Sequence, residues 1–417
     1  MAVSDLWLLD PEVDHLNHGS FGACPRPVLA EQQRWRHLME RNPVRFMLDT
    51  YPDAIDTARR RLAEFLGADP DGLVFVPNAT SGVNAVLRSL EPDLGPGDEI
   101  LITDHSYNAC RNAAEATALR TDARVVVAVV PFPVESPTQV LEAVLAAVTP
   151  RTRLALIDHV TSPTALVLPV DSLVRSLEPE VRVLIDGAHA PGMVEVDLGR
   201  LGASFAVGNC HKWLCAPKGA GYLYVAADQR ERTLPVTISH GWRGGLWSSR
   251  SRFHSMFDWT GTDDPSAWLS VPAALDAMGG VLAGGWAELM AANRERALLA
   301  RRILAARLRL AVPAPEEMIG AMASLPLPGP VAHEALIDPL TLRLREAHRI
   351  EVPVFGWSTH RLLRISAQHY NHDDQYQRLA SVLQAELAAE ALSPPAPAPA
   401  ASGPKANPAA PRPRRGT

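Results

Sequence analysis

From residue 73 to 226 the apolar residues gather into short runs rich in Val, Ile, Leu and aromatic side chains: LVFVP, EILITD, ARVVVAVV, TRLALIDHV, VRVLIDG, SFAVGN and GYLYVA. Between most of them lie segments with helical spacing, TSGVNAVLRSL, YNACRNAAEATAL, PTQVLEAVLAAV and VDSLVRSL. Several runs are apolar almost throughout, the pattern of strands buried on both faces of a mostly parallel sheet. The alternation predicts an α/β fold with helices on both sides of the sheet. In such a sheet, ligands bind beyond the carboxyl ends of the strands. The pattern then changes. A long Ala, Leu, Arg and Glu-rich helix over residues 285–310, short strands in AMASLPLP, RIEVPVFGW and RLLRISA, and a last helix ending near 391 predict a smaller α+β domain. The expected organisation is an N-terminal segment 1–25, a large domain 26–280, a small domain 281–392 and a tail 393–417.

Composition narrows the class. The chain has 417 residues, 47% hydrophobic and 21% charged, which suits a globular protein with a sizeable core. A net charge of −6 gives no reason to expect nucleic acid or an anionic membrane as partner. Four cysteines with no C-x-x-C pair argue against a disulfide scaffold and against structural zinc, and fit a reducing cytoplasm. The N-terminus lacks the basic and apolar regions of a signal peptide, and no run of 18 apolar residues is present to span a membrane. The last 25 residues are rich in Pro and Ala, with four positive charges and no acid, and read as a disordered tail.

Three strand ends carry the candidate chemistry. In FVPNATSGVNAV a strand runs into Asn-Ala-Thr-Ser-Gly and then a helix, so backbone N–H groups and the Thr80 and Ser81 hydroxyls could cradle an anion, or Thr or Ser could simply cap the helix. VRVLIDGAHAPG ends an apolar strand on Asp186, a costly place for a carboxylate without a cationic partner, although Asp is also common in strand-end turns. GNCHKWLCAPKG puts Lys212 at the next strand end, where a dry pocket would depress its pKa and let it condense with a carbonyl, unless it merely snorkels. An amine, an anion cradle and a buried carboxylate together match an aldehyde cofactor with a phosphate and a pyridine nitrogen, which is pyridoxal phosphate.

The motifs LNHGSFGACPRPV, NATSGVN, TDHSYNA, DHVTSPTALVLPV, DGAHAPG, GNCHKWLCAPKG, WTGTDDPSAWLSVPAAL, RIEVPV and LLRISAQHYN occur in that order over nearly all the chain except the tail. With them the chain resembles the class V aminotransferase branch of fold-type I pyridoxal-phosphate enzymes, and within it the isopenicillin N epimerase-like group. The resemblance implies a large domain with a mostly parallel sheet and a small C-terminal α+β domain. It implies that Lys212 holds the cofactor's aldehyde and that Asp186 pairs with the pyridine nitrogen. It implies that Thr80, with the Ala79 and Ser81 amides, cups the phosphate, helped by His211 and Asn209. His105 matches the position whose ring stacks on the cofactor, and Tyr107 would reach the substrate; both are acid–base candidates. Ser162 and His189 match positions that contact the phenolic oxygen. Gly261 and Thr262 match a loop that reaches the phosphate from a partner subunit, implying a homodimer with shared sites. Arg364 matches the arginine that grips the substrate carboxylate, and Asn17 and His18 line the substrate side. His159, His369, Arg361, Trp213 and Trp242 fit packing, turn or surface roles.

The cofactor does not name the reaction. Every cysteine lies at or before residue 215, which disfavours a desulfurase with a nucleophilic cysteine in the small domain. Elimination at Cβ needs one base, Lys212; epimerisation needs a second proton donor on the opposite face. The expectation is a carbon–sulfur β-lyase acting on a cysteine S-conjugate-like amino acid, in secondary metabolism such as antibiotic biosynthesis. The alternatives are amino-acid epimerisation and decarboxylation-coupled oxidative deamination. Retention of both Lys212 and Asp186 argues against a binding protein that has lost its chemistry. The aromatic and basic segment 237–264 (Trp242, Arg243, Trp247, Arg250, Arg252, Phe253) suits either a bulky anionic or sugar-bearing substrate or an ordinary surface loop.

Overall fold

The computed structural model describes residues 3–244, 250–331 and 337–392. The strands in chain order are β1 (Asp14–His15), β2 (Leu73–Val76), β3 (Glu99–Thr103), β4 (Arg124–Ala128), β5 (Thr152–Asp158), β6 (Arg182–Gly187), β7 (Phe205–Asn209), β8 (Gly221–Val225), β9 (Met322–Leu327), β10 (Ile350–Glu351), β11 (Val354–Trp357) and β12 (His360–Ser366). All seven strands expected between residues 73 and 226 form one sheet, in the order β2-β8-β7-β6-β5-β3-β4. The links among β3 to β7 are parallel, and β8 runs antiparallel to both β2 and β7.

The near-continuous apolar runs have a direct cause: alternate residues of each strand point to opposite faces, and both faces are covered. Leu154, Leu156, Leu184 and Val207 pack on one side with Val83, Val86 and Leu87 of the helix Ala79–Leu90. Ala155, Ile157, Val183 and Ile185 pack on the other with Val140, Leu173 and Val174. The run ARVVVAVV departs from this. It supplies the sheet's edge strand β4, and Val127 and the following Val129 are exposed.

A second sheet, β11-β12-β9, is antiparallel; β9 and β12 pack against the long helix Gly285–Leu308, which in turn packs against the helix Asp373–Leu392. RIEVPVFGW is not one strand. Its first part, β10, pairs in parallel with β1, which ties the N-terminal segment beside the second sheet. Arg361 is not a surface residue either, being buried in ion pairs with Asp338 and Glu390 at 2.7 Å. No helix among the described residues is long and apolar enough to cross a membrane.

The N-terminal segment then crosses to the main sheet, where Gly22 meets the backbone of Lys212. Gly22 has φ +71°, and a Cβ there would stand 2.0 Å from the His211 carbonyl oxygen and 3.0 Å from Lys212 Cα. The variant Gly22→Ala is therefore expected to lose about 2–3 kcal/mol of stability, measurable as a lower denaturation midpoint. An unchanged midpoint would remove this contact from the fold's essential packing.

Candidate active site

The carboxyl ends of β5, β6 and β7 meet the start of the helix Ala79–Leu90 around one cavity of about 340 Å³. Its walls include Thr80, Tyr107, Asp158, Ser162, Asp186, His189, Asn209, His211 and Lys212. Most of the expected site residues are thus brought together, from segments more than a hundred residues apart.

Lys212 Nζ lies 3.1 Å from His189 Nε2. Burial, and secondly the Arg364 guanidinium, lower its pKa to about 8, against the opposing pull of Asp186 and Cys110. Asp186 is 3% exposed. Its Oδ1 accepts from the Ala188 amide at 3.0 Å and its Oδ2 from the Cys110 thiol at 3.1 Å. Parallel pairing sets Asp158 directly beside it. Burial, then the Asp186 charge, pushes the Asp158 carboxyl well above the usual carboxylate range, although the Ser106 hydroxyl and the Tyr107 amide donate to it.

The helix start is more engaged than a bare N-terminus. Asn78 caps it, accepting from the Ser81 amide at 2.9 Å, and Asn209 Oδ1 accepts from the Ala79 amide at 2.9 Å. That leaves the Thr80 amide and side chain as the cradle's available donors, rather than the amides on either side of it. His211 Nδ1 faces the Ala220 carbonyl at 3.1 Å, so it carries a proton there, and burial lowers the ring's pKa to about 4.

Arg364 is buried behind the cavity wall. It donates through Nη1 to the Ser162 carbonyl at 2.7 Å and hydroxyl at 3.0 Å, and through Nη2 to the Ser20 hydroxyl at 3.0 Å. Its Nε has no partner, and no carboxylate pairs with it among the described residues. Burial lowers its pKa to about 10. A buried guanidinium without a counter-ion is an anchor waiting for an anion. The Ser20 hydroxyl in turn donates to Asn17 Oδ1 at 2.6 Å, so Asn17 acts on the cavity through Ser20 rather than by lining it.

Two expectations do not match these placements. His105 is fully buried and off the cavity, with Nδ1 2.7 Å from the Thr164 hydroxyl, Nε2 3.2 Å from the Val130 carbonyl and its ring against Trp357 at 4.5 Å. Tyr107, 45% exposed, is the ring that lines the cavity instead. His18 sits beneath the lysine, donating from Nε2 to the Lys212 carbonyl at 3.0 Å while Nδ1 meets the Tyr370 hydroxyl at 3.0 Å; it braces the backbone, and burial lowers its pKa to about 3. Gly261 and Thr262, expected to serve a partner subunit's site, are exposed and lie off this cavity in their own chain, as that expectation allows; their neighbours Thr260 and Asp263 line an adjoining cavity that shares Thr80.

The segment 237–264 brings no described side chain to the Lys212 cavity. Phe253 is core, Arg250 pairs with Asp56 and Asp258, and Arg252 lies over Trp242 at 4.8 Å. Trp247 and the tail 393–417 lie outside the described residues. Sequence reasoning missed Asp158, Ser20, Cys110 and Phe21. Asp158 was findable, because it ends an apolar strand as Asp186 does.

The residues fit pyridoxal 5′-phosphate. Two neighbouring carboxyls, neither in an ion pair among the described residues, face a cavity where a protonated ring nitrogen would supply the missing cation, opposite a depressed-pKa amine and an open helix-start amide.

In the cofactor-free protein Asp158 gives a sign test. An acid whose pKa is raised on folding costs stability as pH rises from its unfolded value near 3.8 toward its folded value. Asp158→Asn mimics the protonated form, so its melting temperature relative to wild type is expected to climb as pH rises from 4 toward neutrality. A difference that stays flat with pH would refute the raised pKa.

Arg364→Ala is expected to lower kcat/KM for an amino-acid substrate at least about 30-fold, through KM, with cofactor absorbance retained. Arg364→Lys should not restore it, because a point charge cannot replace the fork. Unchanged KM in both variants would move the carboxylate anchor elsewhere.

Comparison with known proteins gives a consistent picture. The model of the family described as aminotransferase class-V matches residues 23–379. An isopenicillin N epimerase of Amycolatopsis lactamdurans is 38% identical over 390 residues, covering 90% of this chain and 96% of that protein. A probable chloroplastic L-cysteine desulfhydrase of Arabidopsis thaliana is 30% identical, covering 90% of this chain and 83% of that protein. A solved structure of the cystine C–S lyase C-DES with its product cysteine persulfide superposes with a TM-score of 0.77 at 22% identity, covering 89% of this chain and 97% of that one. The fold is that of fold-type I pyridoxal-phosphate enzymes.

Proposed function

Because the chain belongs to the aminotransferase class-V family and its cofactor is pyridoxal 5′-phosphate, we propose that it is a carbon–sulfur β-lyase acting on a cysteine S-conjugate-like amino acid. The observation that carries the reading is one amine base, Lys212, in a cavity that no cysteine lines, with a buried guanidinium, Arg364, held just behind the cavity wall by Ser162 and Ser20 and in no ion pair among the described residues. When bound, the cofactor supplies an electron sink that weakens the bonds at Cα.

The chain's residues do the rest. Arg364 holds the substrate carboxylate, with Ser162 and Ser20 fixing its guanidinium, and this grip disfavours loss of that carboxylate by decarboxylation. Lys212 Nζ takes the proton from Cα. The electron pair forms a Cα–Cβ double bond as the thiolate leaves Cβ, and the released enamine hydrolyses to pyruvate and ammonia. All four cysteines are buried free thiols, Cys110 bonded to Asp186, so none is placed to accept sulfur as in a desulfurase. Relatives named L-cysteine desulfhydrase support this chemistry.

Epimerisation is the second reading. It is supported by Tyr107, whose half-exposed ring lines the cavity as a candidate second proton donor, and by the two relatives named isopenicillin N epimerase. A homodimer in the cytoplasm completes the proposal: the exposed Gly261–Thr262 loop would serve a neighbouring copy, and four free thiols suit a reducing compartment.

The test offers S-substituted cysteines and isopenicillin-type peptides in deuterated water, with products followed by mass spectrometry. Thiol and pyruvate in equal amounts are expected. Deuterium at Cα without cleavage would overturn the lyase in favour of the epimerase.

A further inference from the structure

We propose that Trp213 is a positioning residue that fixes the tautomer of His189, so that the imidazole always presents an N–H to Lys212 and the cofactor side of the cavity. Trp213 is 1% exposed, packed among Val160, Ala190, Met193, Ala321 and Met322 with its ring 4.9 Å from that of His18. Its indole N–H is a donor only, and a buried donor needs an acceptor. The acceptor given by the structure is His189 Nδ1, at 3.5 Å. Nδ1 must then hold a lone pair. His189 is itself buried, and the titratable groups around it, Lys212, Arg364, His18 and His211, are all basic, so the ring stays neutral. Its one proton therefore sits on Nε2, 3.1 Å from Lys212 Nζ.

The consequence reaches the amine. An ammonium facing an N–H gains no hydrogen bond from it, whereas a free amine accepts one. Trp213 thus acts through His189 to favour the free base of Lys212, adding to the effect of burial. With the cofactor bound, the same N–H is available to its phenolic oxygen. A histidine free to choose its tautomer would offer a lone pair there part of the time. The inference rests on this hydrogen-bond chain and not on whether the reaction is elimination or epimerisation.

The test is nitrogen-15 NMR of the full-length holoenzyme labelled at histidine, with His189 assigned by its loss in His189→Gln. An unprotonated Nδ1 and a protonated Nε2 are expected between about pH 6 and 9. A protonated Nδ1 in the wild type overturns the proposal whatever the variants do. Trp213→Phe keeps a ring and removes the N–H. It is expected to mix the tautomers and to move the pH midpoint of the cofactor's visible absorbance upward by roughly one unit, the worth of one hydrogen bond. In a His189→Gln background the same substitution should leave the midpoint unmoved. An equal shift in both backgrounds, or none in either, would mean that Trp213 only packs.

Discussion

Lys212→Ala is expected to abolish turnover, with a loss of about 10²- to 10⁴-fold from the missing base alone and more from the missing covalent hold on the cofactor. No other amine among the described residues lines the cavity. His189, whose Nε2 lies 3.1 Å from the lysine amine, is held neutral by its surroundings and donates rather than accepts toward the lysine. The visible absorbance of the bound cofactor should change with the substitution, and small added amines should recover part of the rate. In the cofactor-free wild type, the amine captures the cofactor only as free base. Its rate of uptake should fall about tenfold for each pH unit below about 8 and level off above it. The variant loses a buried amine that the fold prefers uncharged, so it should melt no lower than the cofactor-free wild type at neutral pH. Full activity in Lys212→Ala, with that stability control satisfied, would remove the lysine from the chemistry.

Lys212 and Asp186 are legible in the sequence for one physical reason. A charged residue at the end of an apolar strand is costly, so the run itself marks it. The same logic covers all seven strands of the main sheet, because doubly buried strands leave near-continuous apolar runs. What escapes is set by pairing and orientation, which have no local signature. The short pairing of Asp14–His15 with Ile350–Glu351 joins residues over three hundred positions apart and fixes where the N-terminal segment lies. His105 and Tyr107 are two residues apart just before the helix Asn108–Thr121, and only the backbone path decides that the tyrosine faces the cavity and the histidine the Trp357 ring. The Ala79 amide is hidden from sequence reasoning in the same way, since its partner Asn209 arrives from β7.

Asp186→Asn is expected to lower kcat by about 10²- to 10³-fold and to weaken cofactor retention. The carboxylate is held in place from two sides, by the Ala188 amide on Oδ1 and the Cys110 thiol on Oδ2. Asparagine keeps the volume and can keep the bond from Ala188. It then presents an NH₂ where Oδ2 stood, so donors face both the Cys110 thiol and the ring nitrogen that the carboxylate would receive. Negative charge is lost at the point where it must balance a proton on the ring. Asp158 cannot take over. It stands beside Asp186 in the sheet, but burial and the neighbouring charge favour its protonated form. Asp158→Asn should therefore cost far less activity than Asp186→Asn, and Cys110→Ala, which frees Oδ2 from one donor, less still. The ordering of the three is the critical measurement. If Asp158→Asn proves the more damaging, the two carboxyls have exchanged roles, and Asp158 becomes the partner of the ring nitrogen. If Asp186→Asn stays within about tenfold of wild type, neither charge is used as an electron-sink partner, and the elimination proposed for this site loses its driving group.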